Sequence, residues 1–162
     1  MATAIILCQA GCLVLLAGWL SVALRDNIRR PEINEQFTRE VLSMARIERD
    51  YPAVLLMVAE RRVLSARIQR AVFVAIVVSE VLVTLLLWVG AVALLAAAGG
   101  IIGAVPARTL ALAGAFGFVA IWSGFTIAGN HFCYWLCHDG AQNTHFQLLL
   151  WGMATLLLIA LA

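Results

Sequence analysis

The stretch AVFVAIVVSEVLVTLLLWVGAVALLAAA, residues 71–98, holds one ionisable side chain, Glu80, and no proline. Hydrocarbon about 30 Å thick is crossed by ~20 apolar residues of helix, and this stretch exceeds that length. In lipid, backbone N–H and C=O groups must be paired within the segment, which selects helix over an open strand. Working outward, three further apolar runs occupy residues 3–24, 108–129 and 146–162. The fold class is therefore all-α: a four-transmembrane-helix bundle forming a single membrane domain over residues 1–162. Residues 25–70 form an amphipathic, interfacial helical segment between spans one and two.

Composition agrees. The chain is 64% hydrophobic, against roughly 45–50% for soluble domains, and its mean hydropathy is +0.98. Net charge is +2, but ten of the eleven basic residues, all arginine, fall between Arg25 and Arg70 together with seven of the nine acids. Such a mixed-sign segment gives nucleic-acid binding no support. The first run lacks a preceding basic residue and exceeds the ~7–15 residues of a signal core, so it reads as a retained helix despite Ser21-Val22-Ala23. Counting arginines in the connections places residues 25–70 in the cytoplasm and both termini outside.

Within the polar segment, Pro31 stops a helix continuing from Leu24, and Asn34 is placed to cap the next one. Phe37, Val41, Met44 and Ile47 recur at helical spacing, with Arg39, Glu40, Arg46 and Arg49 turned away. They predict an apolar face lying in lipid or on the bundle, or receiving a partner. Tyr51-Pro52 breaks this helix, and residues 53–70 read as helix running into the second span, with Arg61, Arg62, Arg67 and Arg70 among the headgroups.

In the third span Ala113, Gly117, Ala120, Gly124 and Ala128 fall on one narrow stripe. Small residues at this spacing let backbones approach, which predicts a helix-packing surface within the chain or toward another subunit. Gly99-Gly100, Gly103 and Pro106 mark the turn before it. Trp19, Trp88, Trp122, Trp135 and Trp151 lie mostly near span ends, where amphipathic rings settle.

Two places could carry chemistry. Glu80 lies roughly 15 Å along the helix from Arg70 at ~1.5 Å per residue, near mid-bilayer. A carboxylate there costs several kcal/mol unless paired or protonated, and Trp122, Ser123, Thr126 and Asn130 are its candidate partners. A proton relay or a small transporter centred on Glu80 is the functional alternative to such structural bonding. The turn after the third span gathers His131, Cys133, Cys137 and His138, with His145 beyond. Imidazole and thiolate suit zinc, copper or haem iron, although no paired Cys-x-x-Cys knuckles are present. Cys8 and Cys12, one turn apart in the first span, read as buried small apolar side chains. No phosphate-cradling loop, nucleophile elbow or HExxH occurs.

The segment Val41-Leu42-Ser43-Met44, the Tyr51-Pro52 break, Glu80, the run Gly129-x-x-Phe132-x-x-Trp135, Gln142 and Phe146 together resemble a bacterial family of predicted small four-span membrane proteins of unknown function. The likeness covers nearly the whole chain. Family members usually carry Trp, Gln or Ser where His131, Cys133 and Cys137 stand, which makes a metal site particular to this protein. The family's basic N-terminus and second loop imply cytoplasmic termini, opposite to the arginine count. The resemblance brings no reaction, cofactor or substrate. The expectation is a non-enzymatic, multi-pass protein of a bacterial inner membrane, in contact with lipid and with other membrane subunits, without a cofactor. A metal- or haem-binding redox subunit is the alternative.

Overall fold

The computed structural model describes residues 1–161; Ala162, the expected end of the fourth span, lies outside them. Four helices are long and apolar enough to cross a membrane: α1 (Ala2–Arg29), α5 (Ala66–Ala98), α6 (Ala104–His131) and α8 (Asp139–Ala160). No strand occurs among the described residues. Each helix outruns its apolar stretch at the arginine-rich end, because its backbone hydrogen bonds close within the helix whether the side chains are apolar or polar.

The spans run antiparallel in sequence order. Helix α5 packs on α1 and α6, and α6 packs on α8. At the end holding both termini, Gln9 Nε2 donates to the Leu158 carbonyl at 3.0 Å, and Arg108 Nε donates to Gln9 Oε1 at 3.3 Å. These bonds satisfy a polar side chain that is completely buried in a span.

The core gathers Leu13, Leu16, Leu20, Leu87, Leu94 and Phe118. Trp19, Trp122 and Trp151 surround Phe118 edge-on, with ring centroids 6.4, 5.8 and 6.4 Å away. Trp122 is thus buried in the interior, and Trp19 and Trp151 are half-buried against it, edge-to-face rings occupying a wide interhelical space. Trp88 and Trp135 remain exposed.

The small-residue stripe is not the face by which α6 packs within the chain. Ala113, Ala120, Gly124 and Ala128 are exposed, and only Gly117 is half-buried, against Val83. The inward face is Ala107, Ala111, Gly114, Ala115, Phe118 and Trp122, turned from the stripe by about one residue, ~100°. Close backbone approach occurs at Gly90 and Gly114. A Cβ on Gly90 would lie 2.7 Å from Ala111 Cα, and one on Gly114 would lie 2.9 Å from the Leu87 nitrogen. Fully buried Phe118 decides the phase, because burying its large ring outweighs aligning the smallest residues.

The segment between spans one and two is broken more often than its periodicity predicts. It contains α2 (Pro31–Ser43), α3 (Ala45–Asp50), α4 (Pro52–Val58) and a 3-10 turn (Ala59–Arg61). Pro31 opens α2 in its first turn, and Asn34 does not cap it. Met44 closes α2 in the left-handed region at φ 56°. This break turns Met44 and Ile47 inward, where they are buried with Leu55 and Cys133 rather than laid in lipid. Phe37 is half-buried edge-on against Tyr134 and His138, and Val41 is half-buried too. Residues 53–70 are not one helix, since 62–65 have no regular structure. There Arg62 binds both Glu48 oxygens, at 3.2 and 2.7 Å, and the Ser43 carbonyl at 2.8 Å. The Val63 amide also donates to the Leu42 carbonyl at 2.8 Å. Arg62 therefore ties the linker to the α2–α3 corner instead of reaching for headgroups.

Candidate functional site

Glu80 faces inward from α5 and is 4% exposed. Its partner is on α1: Asn27 Nδ2 donates to Glu80 Oε2 at 2.6 Å. Asn34 Nδ2, across the Pro31 corner on α2, donates in turn to Asn27 Oδ1. The two amides thus aim their N–H groups in relay at the Glu80 carboxyl. None of the expected partners is the group that binds Glu80. The Thr126 hydroxyl donates to the Trp122 carbonyl of its own helix at 2.8 Å, Ser123 is half-buried and Asn130 is exposed. Trp122 Nε1 is buried without a partner.

Asn27 sits among Arg25, Asp26, Arg29 and Arg30, so Glu80 lies level with the charged end of α1. Helix α5, 33 residues long, begins well beyond the end of its neighbour. At ~1.5 Å per residue it is ~50 Å long, against about 30 Å of hydrocarbon.

Around Glu80 lies a cavity of about 690 Å³, bounded by the end of α1, by α2, α5 and α6, and by α7 (Tyr134–Cys137) with the start of α8. It exists because α1 stops at Arg29 and α2 turns across the bundle without filling the space α1 vacates. The lining is mostly apolar and rich in rings, with Trp19, Phe37, Phe73, Trp122, Phe125 and Tyr134 among them. Glu80 is its only acid, and no arginine lines it. Ala75, Ser79, Ala120, Gly124 and Ala128 combine exposure with a place in this lining, which opens the cavity sideways between α5 and α6. A second cleft, about 450 Å³, is lined by Arg25, Arg29 and Arg30 at the α1–α2 corner.

The histidines and cysteines expected to converge are distributed instead. Among the described residues, no group of three His, Cys, Asp or Glu side chains could hold a metal ion. His131 is exposed at the end of α6. Cys133 has φ 52° and is buried against the Met44–Ile47 cluster, so it and Cys137 do not share a continuous helix. Arg61 Nη1 donates to the His131 carbonyl at 3.2 Å and lies 3.9 Å from Cys133 Sγ. His138 stacks on Tyr134 at 4.9 Å, and His145 stacks on Phe125 at 4.7 Å. Burial, then the nearby Asp50 carboxylate, holds the Cys137 thiol above its ordinary range. Burial likewise raises the Tyr134 phenol and lowers the His138 imidazole. Burial thus keeps the Cys137 thiol, the Tyr134 phenol and the His138 imidazole neutral. Cys8 is exposed on α1, not buried, and Cys12 is half-buried.

Asn27, Asn34, Trp122, Phe125 and Tyr134 as cavity walls escaped the sequence reading. Asn27 looked like part of a solvated charge run, and only antiparallel pairing with α5 sets it against Glu80.

A family model of predicted small integral membrane proteins, DUF2165, matches residues 5–162. The chain belongs to this family. The match bears out the resemblance carried by Val41–Met44, Tyr51-Pro52 and the Gly129–Trp135 turn. No curated protein and no solved structure matches the chain. As a DUF2165 member with four apolar helices, it is an integral membrane protein of unknown function in contact with lipid.

Proposed function

We propose that the protein is a non-catalytic accessory or assembly subunit of a larger complex in a bacterial inner membrane. One observation carries this reading: Ala113, Ala120, Gly124 and Ala128 line α6 and are left exposed by the chain's own packing. Small residues give little advantage against lipid tails, whereas they allow close van der Waals packing with another helix. A Cβ at Gly124 would meet nothing within 4 Å, so the position is free to receive an incoming helix. The other expected docking face is already occupied, since Met44 and Ile47 are buried within the chain.

Photo-crosslinking in native membranes tests the reading. A benzophenone side chain at Ala113 or Ala120 is expected to trap one discrete protein species. The same group at Val92, exposed on α5, is expected to trap none. Gly124→Leu should abolish the adduct. Adducts with lipid alone at every position would overturn the proposal.

A further inference from the structure

We infer that the cavity beside Glu80 is a binding site for a hydrophobic organic monocation that enters from the lipid. This inference goes beyond the accessory role and does not rest on it.

Glu80 is a nearly buried carboxylate with no cationic partner: neither an ion pair nor a lining arginine meets it. Asn27 occupies Oε2 alone. Oε1 takes no hydrogen bond, yet is not among the walled-off polar atoms of the described residues, so it opens on the cavity. An uncompensated carboxylate among apolar walls is costly, and a bound cation supplies the missing charge. The amide relay through Asn27 and Asn34 holds Glu80 Oε2 in place and leaves Oε1 for a ligand. Around it, Trp19, Phe37, Phe73, Trp122, Phe125 and Tyr134 provide ring faces and edges. Aromatic walls attract alkylated ammonium or phosphonium groups that shed their water readily. The volume of about 690 Å³ lies within the ~300–1,000 Å³ range of small-molecule sites. The sideways opening is framed by Ala75 and Ser79 on α5 and by Ala120, Gly124 and Ala128 on α6; a ligand already dissolved in the bilayer enters there while the α6 residues carry no partner helix, and a packed helix would close that side. A metal ion is a poor match, because one carboxylate among rings offers too few donors.

The test uses the purified full chain in a neutral maltoside detergent, with tetraphenylphosphonium as probe and triphenylphosphine oxide as its uncharged counterpart. Titration calorimetry and the summed emission of the five tryptophans, two of which (Trp19 and Trp122) line the cavity, report binding. Expected is saturable one-to-one binding of the phosphonium, at least ten-fold tighter than the oxide, and a loss of at least ten-fold in Glu80→Gln. Ser79→Trp alters an exposed position at the opening and is expected to weaken binding without disturbing the core. It decides the matter should Glu80→Gln not fold. Equal affinity for both probes, binding untouched by a folded Glu80→Gln or by Ser79→Trp, or no saturable binding would each overturn the inference.

Discussion

Met44 takes a left-handed backbone and is 1% exposed. An L-residue there costs roughly 1–2 kcal/mol, offset by burial beside Ile47, Leu55 and Cys133. Met44→Ala is expected to cost about 2–5 kcal/mol, and Met44→Gly to recover about 1 kcal/mol of that by relaxing the backbone. Amide exchange across α2–α4 is the measurement; equal exchange in both variants would refute the strain argument. Asn27→Leu strips Glu80 of its donor and should lower stability by about 1.5–3 kcal/mol in detergent unfolding. At His138, burial and then Arg46 hold the imidazole below its ordinary value of 6.5, with Glu40 acting weakly the other way. The native state thus binds fewer protons than the unfolded state in that window. The contribution is complete above about pH 6.5 and is lost as pH falls from there toward the native value. Protection of the α7 amides, taken relative to their intrinsic base-catalysed exchange at each pH, should be weaker at pH 5 than at pH 8, and His138→Phe should abolish the difference.

At the scale of elements, the α5–α6 pair is set by Gly90 and Gly114, whose neighbours across the interface include backbone atoms. Backbone cannot rotate aside, so Gly90→Val or Gly114→Val should cost at least the ~1–3 kcal/mol of ordinary overpacking. Gly124→Val should change the thermal midpoint of the isolated chain little. If all three variants melt together, the assignment of the packing face is wrong. Helix length and type were legible, because long apolar runs leave helix as the solution in lipid. The phase of α6 was not, since residue size alone does not say whether Phe118 or Gly124 faces inward. The corner at Met44 was also hidden: periodicity through Phe37, Val41, Met44 and Ile47 suits one helix as well as two joined by a left-handed residue.

For the whole molecule, four spans put α2–α4 and α7 at one end and the Gly99–Gly103 turn with both termini at the other. In a variant without native cysteines, thiols introduced at Glu60 and Ile101 should label from opposite sides with an impermeant reagent, and labelling from one side would refute the four-span topology. Which side carries Glu60 also separates the arginine count from the family's charge pattern. The amino-acid sequence by itself determined that this is an all-helical membrane protein and where its apolar runs lie, because hydrophobic length and backbone pairing act locally along the chain. It also singled out Glu80 as the anomalous side chain. Only the tertiary structure decided what Glu80 meets. Asn27 reaches it through antiparallel pairing, Asn34 holds Asn27 from across a proline corner, and the cavity lies where α1 ends short of its neighbours. Such relations depend on where distant segments stop relative to one another, a quantity that no local pattern of residues encodes.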